Sequence, residues 1–304
     1  MKIKNLTLAL GIVLISIGST KAASPIQLNL EKDKNYKILS YTEQTISQSM
    51  NGMDMEISMK NTNLISFNIV SKEMEYMMAK VSFDSMVNEM DMPGRSMVMS
   101  SAKPGDPTKQ DEAMNTAFYI LSQNPLDVKI SYSGRIIEIS NANAVCEKMY
   151  KSLDSLTQAA QMQMRPMLEA SLNTASLKSM IEMIISYLPE NTNATAWDSK
   201  TTISASGMNL DILSKYKVKE QIGNDITLTY EATIEPSGDG TATMNGMKMT
   251  FDLRGLGNGE LTLDAATGWI IKGKAKQRMK GSITANGMNI PMEVNSKTEF
   301  KTVQ

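Results

Sequence analysis

The sequence contains no histidine, one cysteine and few aromatic residues, which make up 5% of its 304 residues. The lack of histidine excludes Ser-His-Asp and Cys-His nucleophile systems and all histidine-ligated zinc, copper or iron sites. A single cysteine excludes cysteine-based zinc sites and an internal disulfide framework. The 31 basic and 32 acidic residues nearly balance, which argues against a nucleic-acid binder. No pair of carboxylates is marked by its spacing, so the sequence predicts no catalytic residues, no cofactor and no metal.

The amino terminus has the pattern of a secretory signal peptide. Lys2 and Lys4 form a positive region, residues 6–17 are a short apolar stretch, and residues 19–23 supply small side chains for cleavage. Cleavage after Ala23 would leave a mature chain of residues 24–304, without a second apolar run long enough to span a membrane. We therefore expect an exported protein of the periplasm, cell surface or extracellular space.

The predicted export limits the possible states of the lone Cys146, because exported compartments are oxidising. A single cysteine there is either a buried, inert thiol or one half of an intermolecular bond. The residues around Cys146 have a helical pattern, which favours the buried thiol. The sequence does not predict an oligomeric state.

Residues 36–100 alternate between apolar and polar residues, as half-buried strands do. The alternation is regular over residues 53–60 and continues to Ile69, interrupted only by Asn61 and Asn63. Asn51-Gly52 and Pro93-Gly94 predict tight turns. The period changes to that of helices at residue 111, where the spacing of Met114, Ala117, Phe118 and Leu121 begins a helical segment that runs to about residue 188.

The helical segment includes a predicted hairpin over residues 128–139, and Pro166 should break or kink one of its helices. Strands return from Trp197. A unit of a turn residue, glycine, methionine, a polar and an apolar residue recurs four times, and we interpret each copy as a hairpin tip. The predicted fold class is α+β and mainly antiparallel β, with one large curved sheet or open half-barrel covered by the helices. We expect a single domain over residues 24–304, with a helical insert at about 111–188.

Methionine is the most unusual feature, with 27 residues. Its flexible, polarizable side chain suits binding surfaces that accept varied partners, although it also fills cores in place of leucine. Met-x-Met pairs favour Cu(I) as ligands, but on a strand they are only two residues on one face, and no histidine accompanies them. We predict that an apolar ligand would contact methionines on the strands: Met53, Met55, Met59, Met247 and Met249.

A row of basic residues occupies alternate positions of one predicted strand, so all its side chains point to one face. The row could bind anionic headgroups. The alternatives are a solvated face, an edge strand protected by lysines, or cross-strand ion pairs with residues such as Glu260 and Glu299. This basic ladder consists of Lys272, Lys274, Lys276, Arg278 and Lys280.

Two glycine-containing stretches predict turns rather than binding loops. Residues 254–259 contain a Gly-x-Gly-x-Gly run that lacks a following helix, so we interpret it as a β-turn or bulge. Residues 264–268 form an Asp-x-x-Thr-Gly turn that the Asp264 side chain is able to close.

The order of these features resembles an uncharacterised family of secreted bacterial proteins that share a domain of unknown function. The features are the signal peptide, the long strand block, the hairpin of residues 133–139, the helices ending near Leu188-Pro189, Trp197 and the turn of residues 264–268. The resemblance covers most of the mature chain and implies no activity. More distantly, the plan is similar to periplasmic lipoprotein carriers of the LolA and LppX type, which implies a half-barrel with helices over an apolar cavity.

These observations favour a non-catalytic protein that binds an apolar or amphipathic ligand, such as a lipid or a lipoprotein acyl chain, between sheet and helices. The alternative is a structural or protein-interaction module of the cell envelope or surface with no small ligand. The expected partner is a lipid for the first function and an envelope protein for the second. An open, methionine-lined space between sheet and helices would favour the carrier, and a closely packed one would favour the module. If every basic residue of the ladder faced an acid, its role toward headgroups would be dropped.

Overall fold

A computed structural model describes residues 25–50, 53–106, 108–205, 208–244, 247–285 and 287–303. The predicted signal peptide at residues 1–23 lies outside the described residues, so export stays a prediction. Three predicted hairpin tips, Asn51-Gly52, Ser206-Gly207 and Asn245-Gly246, and residue 286 of the fourth also lie outside them.

The amino-terminal block consists of long antiparallel strands, as the alternation predicted. The side chains of Ile65, Phe67 and Ile69 point to one face and are buried, while the residues between Phe67 and Ile69 and beyond Ile69 are exposed. Gly94 has a φ of +78° in the turn predicted at Pro93-Gly94. The strands are β1 (Asn35–Met50), β2 (Met53–Lys72), β3 (Tyr76–Met92) and β4 (Arg95–Ser100).

The middle segment contains the predicted helices and the predicted hairpin. Thr157 and Asn173 cap two of the helices, because their side-chain oxygens accept hydrogen bonds from the backbone N–H groups of Ala160 and Ser176. Short 3₁₀ turns cover Gln110–Glu112 and Ser152–Ser155. The longer elements are α1 (Ala113–Gln123), β5 (Leu126–Ser131), β6 (Ile136–Ile139), α2 (Ala142–Lys151), α3 (Gln158–Ser171) and α4 (Thr174–Ile185).

Pro166 does not break the helix in which it lies. It stands inside α3, which continues for five further residues to Ser171. The interruption in this part of the chain instead lies between α2 and α3, where the 3₁₀ turn Ser152–Ser155 precedes the cap at Thr157.

The carboxy-terminal block returns to strands at Ala196, one residue before Trp197, as predicted. The Asp264 turn is confirmed in detail, because its Oδ1 accepts a hydrogen bond of 2.8 Å from the backbone N–H of Thr267. The strands are β7 (Ala196–Ala205), β8 (Met208–Ile222), β9 (Asp225–Pro236), β10 (Thr241–Met244), β11 (Met247–Asp264), β12 (Ile270–Ala285) and β13 (Met288–Val303).

All the described strands belong to one open antiparallel sheet of 13 strands, which confirms the predicted fold class. The order along the sheet is β6-β5-β3-β2-β1-β13-β12-β11-β9-β8-β7, and β4 and β10 extend it beside β3 and β11. The two strand blocks therefore meet at its centre, where β1 pairs with β13 over residues 37–48 and 292–303.

The interpretation of the Gly-x-Gly-x-Gly run as a turn or bulge is wrong. Gly255, Gly257 and Gly259 lie in the middle of β11 and pair in continuous register with β9 and β12. They share the parity of the buried Leu253 and Leu261, so all three face the same side of the sheet as the core.

The hydrophobic core lies between the helices and one face of the sheet, which we call the inner face. Residues 25–34 also enter it, since Leu28 and Leu30 are completely buried. At its centre the rings of Trp269 and Phe67 pack in a T-shaped arrangement with centroids 5.2 Å apart, and the nearby Tyr187 hydroxyl donates a hydrogen bond of 2.8 Å to the carbonyl of Gly268. We call the opposite, solvated face of the sheet the outer face.

Cys146 is a free, buried thiol in α2. Burial removes the thiolate from water, which raises the pKa of the Cys146 thiol. This matches the inert thiol favoured by the sequence. In the described part of the chain, every helix is too short or too polar to cross a bilayer.

Candidate functional site

A cavity of about 1210 Å³ lies between the inner face of the sheet and the helices. Its floor comes from strands of both blocks, and its roof comes from α1, α3 and α4. The core beside it is fully packed around Phe67, so the space is a local feature of the layer rather than general loose packing.

Methionine is the main apolar residue of the cavity walls. Directly paired Met90 and Met97 on β3 and β4 bring two of these side chains together, and Met167 and Met183 line the cavity while remaining exposed to solvent. The ten methionines that line the cavity are Met59, Met86, Met90, Met97, Met99, Met114, Met164, Met167, Met180 and Met183.

The methionines that the sequence singled out are mostly elsewhere. Met59 lines the cavity, whereas Met53, Met55 and Met249 are not among the described residues that line it. Met53 is 68% exposed near the start of β2, and the Sδ of Met55 lies 3.8 Å from the amide of Gln48. The side chain of Met247 lies outside the described residues.

One row of directly paired residues crosses nine strands, and seven of its nine members line the floor of the cavity; Gly259 and Trp197 do not. Because neighbours in register point to the same face, the whole row faces inward. We call it the central row, and it divides into a polar part, a part with the smallest side chains and an aromatic part. In order along the sheet it consists of Asn88, Asn61, Thr42, Thr298, Ala275, Gly259, Tyr230, Tyr216 and Trp197.

The polar part of the central row offers hydrogen-bonding groups without charge. The hydroxyls of Thr42 and Thr298 lie 2.9 Å apart and bond to each other. Asn61 and Asn88 are paired across β2 and β3, and the Oδ1 of Asn88 is buried without a hydrogen-bond partner in the described structure. A buried amide oxygen that makes no hydrogen bond is costly, so this end of the row is prepared for a polar partner.

Glycines on β11 make room for the rest of the row. A Cβ at Gly259 would lie 2.5 Å from Cε1 of Tyr230, which is far inside van der Waals contact. Gly255 is similar, because a Cβ there would lie 2.6 Å from Cγ of Met279. Because Gly255 and Gly259 have no Cβ, neighbouring side chains lie flat across the strand and project less far into the layer between sheet and helices.

We expect Gly259→Ala to destabilise the protein by about 2 kcal/mol, because the methyl group would collide with the backbone carbonyl oxygen of Lys274 and must also displace the Tyr230 ring. Gly257→Ala is the matched control, since it lies on the same strand and face but its nearest side-chain atom, Cγ of Gln277, is 3.3 Å away. The control should be neutral or slightly stabilising. Urea unfolding of both variants measures the difference, and equal stabilities would contradict the close approach of Lys274 and Tyr230 to Gly259.

The aromatic part of the row is a line of three rings. Trp197 stacks on Tyr216 with ring centroids 5.5 Å apart, and Tyr216 lies 5.2 Å from Tyr230. Loss of water around the two tyrosines raises both pKa values, that of Tyr230 to about 12. Both rings therefore act as neutral, largely apolar surface at the end of the floor.

Few charges reach the cavity. Of the described residues that line it, only Arg95, Asp111 and Glu182 are charged, and the first two are exposed. Glu182 has a side chain that is 16% exposed, and its Oε1 lies 3.7 Å from Nζ of Lys178. Its pKa is raised by burial, despite the opposing effect of Lys178. None of the three belongs to the central row.

The basic ladder lies on β12 and points to the outer face, away from the cavity. Residues Ala275 and Gln277 between its members face inward and line the cavity. The methionines of the cavity walls and the basic ladder therefore do not form one site. Because β12 is flanked by β11 and β13, the edge-strand interpretation of the ladder is wrong.

Acids face only part of the ladder. Lys274 forms an ion pair of 3.1 Å with Glu299, the partner predicted from the sequence. Lys280 and Arg278 both contact Glu293, at 2.9 and 2.8 Å, and hold the pKa of that carboxyl at about 2. Lys272 and Lys276 instead face Lys301 and Lys297 on β13. The role of the ladder toward anionic headgroups stays a prediction.

Sequence reasoning missed the inward row. The signal was present, because Asn61 and Asn63 keep the parity of Met59 and Ile65 and therefore sit on the inner face. They interrupt the apolar pattern of the strand, and an inward asparagine is itself an indication of a polar floor. The pairing with Asn88 and Thr298 depends on the register of distant strands and has no local signal.

Comparisons with known proteins give a family but no activity. The model of a family of unknown function (DUF6263) matches residues 75–270. No curated protein matches the chain.

Among solved structures, a lipovitellin structure titled for its lipid–protein interactions is 12% identical at a TM-score of 0.49. It aligns with 90% of this chain, which spans 25% of the lipovitellin chain. An outer membrane channel from Pseudomonas putida F1 (COG4313) is 7% identical at a TM-score of 0.26, covering 91% of this chain and 97% of that one. A DUF1329 family protein from Desulfovibrio piger is 9% identical at a TM-score of 0.14, covering 85% and 83%. Scores below 0.5 carry no functional conclusion, and the similarity to LolA and LppX carriers stays a prediction.

Proposed function

The chain belongs to the DUF6263 family, whose function is unknown, and we propose from its own geometry that it binds an apolar or amphipathic ligand without catalysing a reaction. The observation that carries the proposal is the cavity of about 1210 Å³, walled by ten methionines, between sheet and helices. The ligand class we propose is a lipid or the acyl chain of a lipoprotein, met outside the cytoplasm after export.

The size and lining of the cavity support this class of ligand. Small-molecule sites commonly measure about 300–1,000 Å³ and are mostly apolar with a few placed polar groups. This cavity, at about 1210 Å³, is larger than that range, which suits a long molecule. Methionine adapts its shape to what it contacts, so the walls suit chains that vary in length or conformation.

The alternative is a structural or protein-interaction module with a filled interior. A closely packed layer between sheet and helices would favour that function, because nothing would remain for a small ligand to occupy. The packed region around Phe67 has that character, but the region under α3 and α4 does not. The open space therefore favours the binding protein over the module.

We expect native mass spectrometry of the purified protein to show a discrete bound mass that solvent extraction recovers as lipid. Replacing Met90 and Met97 together with glutamine should weaken binding of that lipid about tenfold, because the paired side chains lose apolar contact and expose amides to the chain. Met53→Gln is the matched control, since this methionine is exposed and does not line the cavity.

A protein that stays free of lipid after incubation with membrane extracts would contradict the proposal and favour the interaction module. Equal loss of binding in the control and in the cavity variant would also contradict it, because the cavity would then not be the site.

A further inference from the structure

The central row presents different chemical groups along its length. From Asn88 to Gly259 the central row covers five strand spacings, roughly 24 Å along the sheet. Its first four members carry amides and hydroxyls, and the two that follow carry a methyl group and a hydrogen. A molecule lying along this row would meet hydrogen-bonding groups at one end, and then the methyl group of Ala275 and the Tyr230 ring that lies across Gly259.

The polar end has unused hydrogen-bonding capacity. Thr42 and Thr298 bond to each other, but the buried Oδ1 of Asn88 has no partner in the described structure. A side-chain amide presents both an acceptor and donors. A hydroxyl or an amide on the ligand complements it in either orientation, because these groups also donate and accept.

A charged group does not fit the same place. The row itself contains no charged side chain. Arg95, the one cation among the described residues that line the cavity, is exposed at the start of β4, and the basic ladder lies on the opposite face. Burying a carboxylate or phosphate without a counter-charge costs far more than burying a neutral polar group that is hydrogen-bonded. The ladder therefore cannot serve a headgroup held by this row.

We propose that the ligand is a long-chain molecule with an uncharged hydrogen-bonding group, a hydroxyl or an amide, and that Asn61 and Asn88 bind this group. The apolar chain then runs over Ala275 toward the ring of Tyr230, in contact with the methionines that line the cavity. This inference rests on the proposed function and narrows its ligand to neutral lipids.

The test uses three probes with the same chain: oleyl alcohol, oleate and the corresponding octadecene. Each is delivered to the purified protein from methyl-β-cyclodextrin, and occupancy is read by native mass spectrometry. We expect the alcohol to bind about tenfold more tightly than the alkene, which corresponds to one net hydrogen bond. Ionised oleate should bind at least about tenfold more weakly than the alcohol.

The double variant Asn61→Leu/Asn88→Leu should erase the preference for alcohol over alkene while leaving the affinity for the alkene unchanged or higher. Asn68→Leu is the matched control, because Asn68 lies on the same strand but is exposed on the outer face. The control should keep the tenfold preference.

The outcomes separate this inference from the proposed function. Equal binding of the three probes, or tightest binding of oleate, would overturn the neutral-headgroup inference while leaving a lipid-binding protein. Failure of all three probes to bind would overturn the proposed function itself. Because the probe series is measured first on the unaltered protein, the test does not depend on the double variant being folded.

Discussion

Phe67→Ala should lower the free energy of unfolding by about 3–5 kcal/mol, among the largest effects of any single substitution in this protein. Phe67 is 0% exposed, and its ring packs on Trp269 in a T-shaped arrangement with ring centroids 5.2 Å apart. Removing the ring deletes this contact and leaves a void in the part of the core where β2, β12 and residues 25–34 converge. Urea unfolding followed by circular dichroism measures the loss.

Phe300→Ala is the informative control for that experiment. Phe300 is a partly buried ring of β13 that lines the cavity, so its removal enlarges an existing space instead of opening a new one. We expect less than half the cost of Phe67→Ala. Similar losses in both variants would mean that the layer is uniformly packed, and the cavity on which the proposed function depends would be in doubt.

Stability should also fall steeply as the pH rises from about 10 to 12. Burial raises the pKa of Tyr187, Tyr216 and Tyr230 above the value of about 10 that tyrosine has in an unfolded chain, to about 12 for Tyr230. Below pH ~10 both states keep the phenol proton, so these groups do not change stability there. Above it the unfolded state loses the proton and the folded state keeps it, which favours unfolding.

Each tyrosine of this kind removes about 1.4 kcal/mol of stability per pH unit, so the three together remove about 4 kcal/mol per unit. The measurement is the free energy of unfolding in urea at a series of alkaline pH values. Tyr187→Phe tests the assignment, because it abolishes one titration and should reduce the slope by about 1.4 kcal/mol per unit. A slope unchanged by that substitution would show that Tyr187 titrates alike in both states.

Much of this fold could be predicted from local patterns. Alternation identified the strands because each has one buried face, and the Asp264 turn was predictable because an aspartate can accept a hydrogen bond from the backbone two or three residues further on. The stripe of Leu177, Ile181 and Ile184 identified α4, and all three side chains are buried.

The glycine run of β11 shows why other parts could not be predicted. Glycine usually marks turns, and nothing near Gly255 or Gly259 in the sequence announces that Met279 and Tyr230 will lie across them. The reason for these glycines is steric and comes from neighbouring strands. The local indication was the alternation, since the three glycines occupy the same alternate positions of the strand as Leu253 and Leu261, whose side chains are buried.

The candidate site was predictable in kind but not in detail. The abundance of methionine indicated an adaptable apolar lining, yet only Met59 of the five chosen residues lines the cavity. The other nine lining methionines come from β3, β4 and the helices, and their convergence depends on how distant segments pack. The parity of the ladder placed Lys272 and Lys276 on one face, but their cross-strand neighbours Lys301 and Lys297 follow from the register of β12 and β13.

The pairing of β1 with β13 has a consequence for how the chain folds. The hydrogen bonds at the middle of the sheet join segments about 250 residues apart in sequence, as between Thr45 and Asn295. Contacts of such separation carry a high entropic cost of loop closure and form late. Until β13 docks, β1 and β12 each present a long unpaired edge, and such edges readily pair with other chains. The same residues that finally form the polar floor, Thr42 and Thr298, therefore meet only when the two halves of the protein join, so a floor able to select a ligand exists only in the completed molecule.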